Sequence, residues 1–489
     1  MKNGTGWQLG MKLGAAAIIV VLADRLFWQL EQFGSSWGVL ALALLIAIFA
    51  VRPALRQSRA AWIAGGFALL YGGALTDNPG LIALLLCALA LAVATLLPGT
   101  ARFGDGWQWF QRLAYHGILL PAAVTRDGVR WLKVRKRTGR GARLRTSSLI
   151  ARLALPLIGS LAFLLLFASA NPVIEAWLLR LHLPPLDETL VARALLALGI
   201  FHLVWVSLRP KLPRRVAGTA EARGDLTMPG FSPPALKLAL IAFNAVFALQ
   251  NAMDIAYLGG FVALPQGMTL ADYAHRGAYP LIATALLAGL FTLVALRPGS
   301  TSARDPQTRD LLMAWIAQNL LLVFMSAERT IDYIAAYSLT EWRIAALAWM
   351  ALVAAGLVLI AWRMLGDKSS SWLINANLVA ALAVLTPFTL VDVSALAAQW
   401  NVRHAREVGG TGAALDLAYL ENMGAPALLP LVELEKNARL APEFRAGVRF
   451  VRQTVHNSVE EDQKQHFWTV RNARRLAEAE AQLAGTNAR

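Results

Sequence analysis

Apolar runs long enough to cross a hydrocarbon core recur along most of this chain, and no other feature limits its fold so severely. Each covers about 17–25 residues, enough for a helix to span roughly 30 Å of lipid. Lipid offers no water to backbone amides, so segments of this kind become helices, which bond their own N–H and C=O groups. Hydrophobic residues make up 57% of the 489 and charged residues 16%, with a mean hydropathy of +0.50. A water-soluble core does not need that balance. The expected fold is all-α: a polytopic transmembrane bundle of about eleven spans, near 13–30, 37–51, 60–75, 81–97, 149–170, 191–208, 235–257, 278–296, 311–325, 344–364 and 372–398.

Basic residues order these spans. Counting from a cytoplasmic N-terminus, alternate loops are basic: Arg52, Arg56 and Arg59, then 102–145, 209–223, 297–309 and 363–368. The intervening loops, such as 76–80 and 171–188, are poor in Lys and Arg. Lys and Arg collect on the cytoplasmic side, so the N-terminus is expected inside and everything beyond Trp400 outside. The net charge of +16 then reports topology and not nucleic-acid binding. The first run carries Asp24 and Arg25 and lacks a small-residue cleavage site, which reads as a retained span and not a signal peptide. Two domains follow: a transmembrane domain over 1–400, with a basic cytoplasmic loop at 98–148, and a small helical extracytoplasmic tail over 401–489. Tail helices are expected at 413–422, 425–436, 442–455 and 459–483, broken near Gly424 and Pro442.

The loop 98–148 opens with an amphipathic stretch in which Trp107, Trp109, Phe110 and Leu113 suit the headgroup plane. A basic run from Arg126 to Arg145 follows, opposed only by Asp127. It serves as a topology determinant or as a dock for an acidic partner.

Ionisable side chains are costly in lipid, so those within or between spans mark candidate sites. Asn244, Asn251 and Asp254 stand seven and three residues apart, and Gln250 lies one turn before Asp254, all near one helical face. Asn319, Ser326, Arg329, Tyr333 and Tyr337 form a second stripe at spacings of three, four and seven. The connector 326–343 carries Glu328, Arg329, Asp332, Glu341 and Arg343, which are expected to compensate one another. Thr269-x-x-Asp272 and Ser338-x-x-Glu341 have the capping-box pattern of a helix start. Asp392, near the end of the last span, is expected to pair with a neighbouring arginine, to sit wet at the interface, or to join this cluster.

Together these observations nominate Asn251, Asp254, Tyr273, Arg276, Glu328, Arg329, Tyr333, Tyr337 and Arg343 as the lining of an outer-leaflet cavity for a lipid or small anionic ligand. A purely structural polar network is the competing role. Two other functions stay open: a membrane enzyme acting on a lipid-linked phosphate, with Glu328, Asp332 or Asp254 as acid and base, or a structural subunit of a larger membrane complex. Membrane lipids are the expected partners, with a protein partner at the tail or the basic loop. Walker A, GxGxxG, HExxH and CxxC motifs are all missing, and the seven histidines show no pair at ligand spacing. No cofactor or metal is therefore expected, and the lone Cys87 offers no intramolecular disulfide.

The segments ALQNAMDIAYLGG, LPQGMTLADYAHRGAYPLIATALLAGL, MSAERTIDYIAAYSLTEWRIAALAWM, LVDVSALAAQWNVRHA and LDLAYLENMGAPALLPL resemble the bacterial integral-membrane proteins of the domain-of-unknown-function 4153/4173 group. The resemblance covers about 20–431 and is strongest over 244–405. It implies a protein of the bacterial cytoplasmic membrane and carries no activity with it. It also implies a Gly between the Tyr and Leu of AYSLTEWR, where this chain has Ser338, and an Arg where it has His275.

Overall fold

Side-chain caps start most of the helices. Ser58, Asp305, Thr340, Ser369, Asp392 and Asp416 each accept a hydrogen bond from a first-turn amide, satisfying a donor that has no partner within the helix. The structure is a computed structural model that describes residues 3–29, 33–100, 103–118, 187–213, 215–219, 232–258, 300–465 and 467–487, with isolated positions 127, 128, 156, 160, 287 and 291. Among the described residues there is no strand.

The chain opens with α1 (Asn3–Asp24), extended by a π turn, then α2 (Ser36–Val51), α3 (Arg59–Asp77), α4 (Leu81–Leu96) and the surface helix α5 (Gly106–Ile118). After α6 (Glu188–Leu208) and α7 (Pro233–Leu258) come α8 (Pro306–Tyr337), α9 (Glu341–Leu365) and α10 (Ser370–Leu390). The remainder is α11 (Val393–His404), α12 (Leu417–Met423), α13 (Leu428–Glu435), α14 (Pro442–Gln465) and α15 (Val470–Asn487). Six described segments are long and apolar enough to cross a membrane: α4 with its extension to Gly99, and α6 through α10. The protein is a multi-pass membrane protein. The apolar α2 is shorter, and the spans expected at 149–170 and 278–296 lie outside the described residues.

Three buried clusters hold the helices together. In the first, α1 to α4 and α6 share a core that includes Ala16, Phe27, Leu44, Ile48, Tyr71 and Leu96. Close approach needs small residues: a Cβ on Gly38 of α2 would sit 2.2 Å from the Thr76 amide nitrogen of α3. In the second, Leu240, Leu312, Trp315, Leu357 and Leu373 join α7 to α10. The Trp315 ring lies 5.3 Å from Phe243 and 5.7 Å from Phe247. In the third, Ala398 and Val402 of α11 pack with Leu420, Leu428, Leu431, Val448 and Val455 of the tail helices.

The ends of the bundle separate by chemistry. At one end Arg52 donates to the carbonyls of Thr95 and Ser207 (2.8 and 3.3 Å). Asp105 there accepts from Thr219 and Ser371, and Asp127 is paired with Lys211 (2.5 Å) and Arg209 (3.3 Å). At the other end the tail meets residues 35, 77 and 392.

Several expectations change. The ninth span does not stop at 325: α8 runs 32 residues, about 48 Å of helix, so most of the expected connector is its last three turns. The last span breaks at Val391, and Asp392 begins a separate helix. Thr340, and not Ser338, caps α9, accepting from the Arg343 amide. On α5, Trp107 and Phe110 are exposed, but Trp109 turns into the core beneath the Arg112 guanidinium. In the tail, α14 continues to Gln465, so the last break falls near 466–469.

Candidate functional site

Two polar stripes expected from the sequence face each other across α7 and α8. Asn244 donates to the Leu311 carbonyl (2.9 Å) and accepts from Gln318 (2.7 Å). Two turns on, Asn251 donates to the Gln318 carbonyl (3.1 Å). One turn further, Asp254 pairs with Arg329 and accepts from Gln250 (2.9 Å). Asp254 is 0% exposed and Arg329 4%. Burying either charge alone would cost several kcal/mol, and pairing offsets it. The side-chain carbonyls of Asn251, Gln318 and Asn319 are buried with no donor among the described residues. The seam holds two helices in register.

A second group surrounds Ser338, where α8 gives way to α9. Ser338 has φ +71° and ψ 167°, a region that glycine alone enters without strain. Asn401 of α11 grips the next residue from both sides, donating to the Leu339 carbonyl (2.8 Å) and accepting from its amide (2.6 Å). Arg343 donates to the carbonyls of Tyr337 (2.7 Å) and Ser338. Its guanidinium lies 4.3 Å from the Tyr333 ring centre, and Tyr333 lies 4.8 Å from Tyr337.

The nine nominated residues therefore divide. Asn251, Asp254 and Arg329 meet in the seam, and Tyr333, Tyr337 and Arg343 meet at the strained turn. Glu328 is half-buried on α8, while Tyr273 and Arg276 lie outside the described residues. The expected mutual compensation of the connector charges does not form. Arg329 reaches Asp254 on another helix, Arg343 spends its donors on backbone carbonyls, Glu341 accepts from Ser394 (2.6 Å), and Asp332 is exposed.

The most heavily charged junction joins α15 to the bundle. Arg471 pairs with Asp77 (2.7 Å) and Asp392 (3.3 Å); Arg474 pairs with Asp77 and Arg475 with Asp392. Burial raises the Asp392 carboxyl, but the Ala395 amide and the Arg475 and Arg471 guanidinium groups outweigh it and hold the carboxyl below the usual carboxylate range. Asp392 thus finds the arginine partner expected for it, while Asn401, Asp77 and the three tail arginines were not nominated. The spacing of Arg471, Arg474 and Arg475, three and four apart on one helical face, was the available signal.

Beside this junction lies a groove of about 310 Å³ between the α3–α4 turn, the start of α9 and the α10–α11 break. Leu81, Ile82 and Phe388 are among its apolar groups, and Asn78, Glu341 and Arg471 among its polar ones. Near it, burial and the Glu341 charge push the Tyr419 hydroxyl up, against the opposing effect of Arg343. Among the described residues no group of three or more His, Cys, Asp or Glu side chains is arranged to hold a metal ion.

No curated protein and no solved structure matches the chain. Residues 63–434 match the family model described as domain of unknown function DUF4153. With about three quarters of its length matched, the chain belongs to the DUF4153 family.

Proposed function

We propose that this protein is a binding protein of the bacterial cytoplasmic membrane, with eleven spans, a cytoplasmic N-terminus and an extracytoplasmic tail domain. The basic end, with Arg52, Arg209 and Lys211, then faces the cytoplasm. The ligand is a zwitterionic phospholipid of the outer leaflet, held in the groove beneath the tail. One observation carries this reading: the lining of the groove combines apolar Leu81, Ile82 and Phe388 with polar Arg471, Asn78 and Glu341. A phosphate fits the Arg471 and Asn78 donors, and an ammonium group fits the Glu341 carboxylate. Two of the three acids nominated for catalysis favour binding over turnover, since Asp254 is sequestered with Arg329 and Asp332 is exposed on α8.

Native mass spectrometry of the full chain, with bound lipid exchanged for phosphatidylethanolamine or phosphatidylglycerol, tests the assignment. Phosphatidylethanolamine is expected to be retained preferentially, and Glu341→Gln, which keeps the Ser394 hydrogen bond, to remove the preference. Equal retention of both lipids, or a preference untouched by Glu341→Gln, refutes it.

A further inference from the structure

A second cleft, of about 550 Å³, lies at the basic end and is independent of the groove beneath the tail. It runs between α3, α4, α5 and α10, lined by residues such as Ile63, Phe67, Leu89, Phe110 and Leu382. Along α3 it extends from Ala60 to Tyr71, about 16 Å at the helical rise, which is roughly the depth of one leaflet. Ile63, Phe67 and Phe110 are exposed, so the cleft opens sideways to acyl chains.

The polar groups in its wall are spent, with one exception. Asn375 accepts from the Gly106 amide (2.8 Å), and the Tyr71 hydroxyl bonds Thr386 (2.8 Å). The exception is Trp109, 5% exposed, whose indole N–H is buried with no acceptor among the described residues.

The mouth of the cleft is positive. Arg59 stands one turn before Ile63, and helical side chains lean toward the N-terminus, so Arg59 reaches from the cleft toward the headgroup layer. Arg56 and Arg59 are exposed and have no carboxylate partner among the described residues. The nearby Asp105 carboxylate accepts from Thr219, Ser371 and the Gln108 amide, which keep it ionised, so it sets one negative charge against the two arginines. Trp107 and Phe110 stack at 5.5 Å on the surface of α5, as interfacial anchors do.

We infer that this cleft holds one acyl chain of an anionic phospholipid from the leaflet at the basic end, packed against Trp109, with Arg56 and Arg59 on the phosphate head. The chain is reconstituted in nanodiscs containing phosphatidylglycerol or phosphatidylcholine, each brominated on its acyl chains, at equal mole fraction. Because the protein has 16 tryptophans, the Trp109 signal is read as the difference between the chain and Trp109→Phe. Brominated phosphatidylglycerol is expected to quench that signal more strongly. Native mass spectrometry gives the second readout: phosphatidylglycerol is retained over phosphatidylcholine, and Arg56→Gln/Arg59→Gln, a surface change that leaves the core untouched, lowers the preference about fivefold per arginine. Equal quenching by the two lipids, no quenching of Trp109, or a preference unchanged in the double variant overturns the inference.

Discussion

Ser338→Gly is expected to stabilise the protein. A non-glycine residue at φ +71° and ψ 167° carries about 1–3 kcal/mol of backbone strain. Glycine removes that strain and adds back about 0.5–1 kcal/mol of unfolded-chain entropy, leaving a net gain of about 1 kcal/mol. The serine hydroxyl makes no hydrogen bond among the described residues, so Ser338→Ala should be close to neutral. That control separates backbone from side chain. Strain persists only where neighbours over-determine it, and here Asn401 supplies two hydrogen bonds to Leu339. Asn401→Ala leaves a buried N–H and a buried C=O unmatched and is expected to cost at least about 2 kcal/mol. Equilibrium unfolding in mixed detergent micelles measures all four chains, including Asn401→Ala/Ser338→Gly, in which the glycine should recover part of the loss. A destabilised Ser338→Gly, or a Ser338→Ala that matches its gain, refutes strain as the explanation.

Three further outcomes follow from the same structure. Asp254→Asn alone removes the carboxylate that faces the buried Arg329 guanidinium in the α7–α8 seam and should cost about 3–5 kcal/mol; Asp254→Asn/Arg329→Gln should recover most of it in a double-mutant cycle, and strictly additive losses would rule out the coupling. The Asp392 carboxyl is depressed in the folded state, so its stabilisation is present above the unfolded value near ~3.9 and is lost as pH falls through that range toward the folded value. Hydrogen exchange at 470–476 should therefore rise on acidification below about pH 4 and lose its Asp392-dependent part in Asp392→Asn. Gly38→Leu drives a side chain into the Thr76 backbone and should cost more than about 2 kcal/mol, read as loss of monodisperse protein on gel filtration.

The all-helical fold was legible because apolar run length is dictated by bilayer thickness, and α7 and α9 begin and end within a few residues of their expected spans. The facing stripes were legible too, since the spacing of Asn251 and Asp254 and of Asn319, Ser326 and Arg329 leaves few ways to avoid lipid. Boundaries near water were harder. Nothing local distinguishes a connector at 326–337 from a helix that continues past the hydrocarbon core, and Asp392 reads as a residue inside a span until its capping of Ala395 is seen. The pairing of connector charges failed for a physical reason: Arg343 finds carbonyls exposed by the strained turn at Ser338, which sequence spacing does not reveal. Partners distant in sequence, such as Asp77 with Arg471, have no local signature.

That last pair also sets an order of events. Asp77 and Arg471 are separated by 394 positions, an interval of roughly 20–80 s at translation rates of about 5–20 residues per second. Throughout that time Asp77 is without its arginines, and Asp392 waits for Arg475, 83 positions further on, during roughly the last 4–17 s of it, while the helices between them enter the membrane. The α15 latch closes only on a chain whose early and late spans have both reached their places. A chain with a misplaced span would therefore leave Asp77 or Asp392 uncovered and its C-terminal helix undocked.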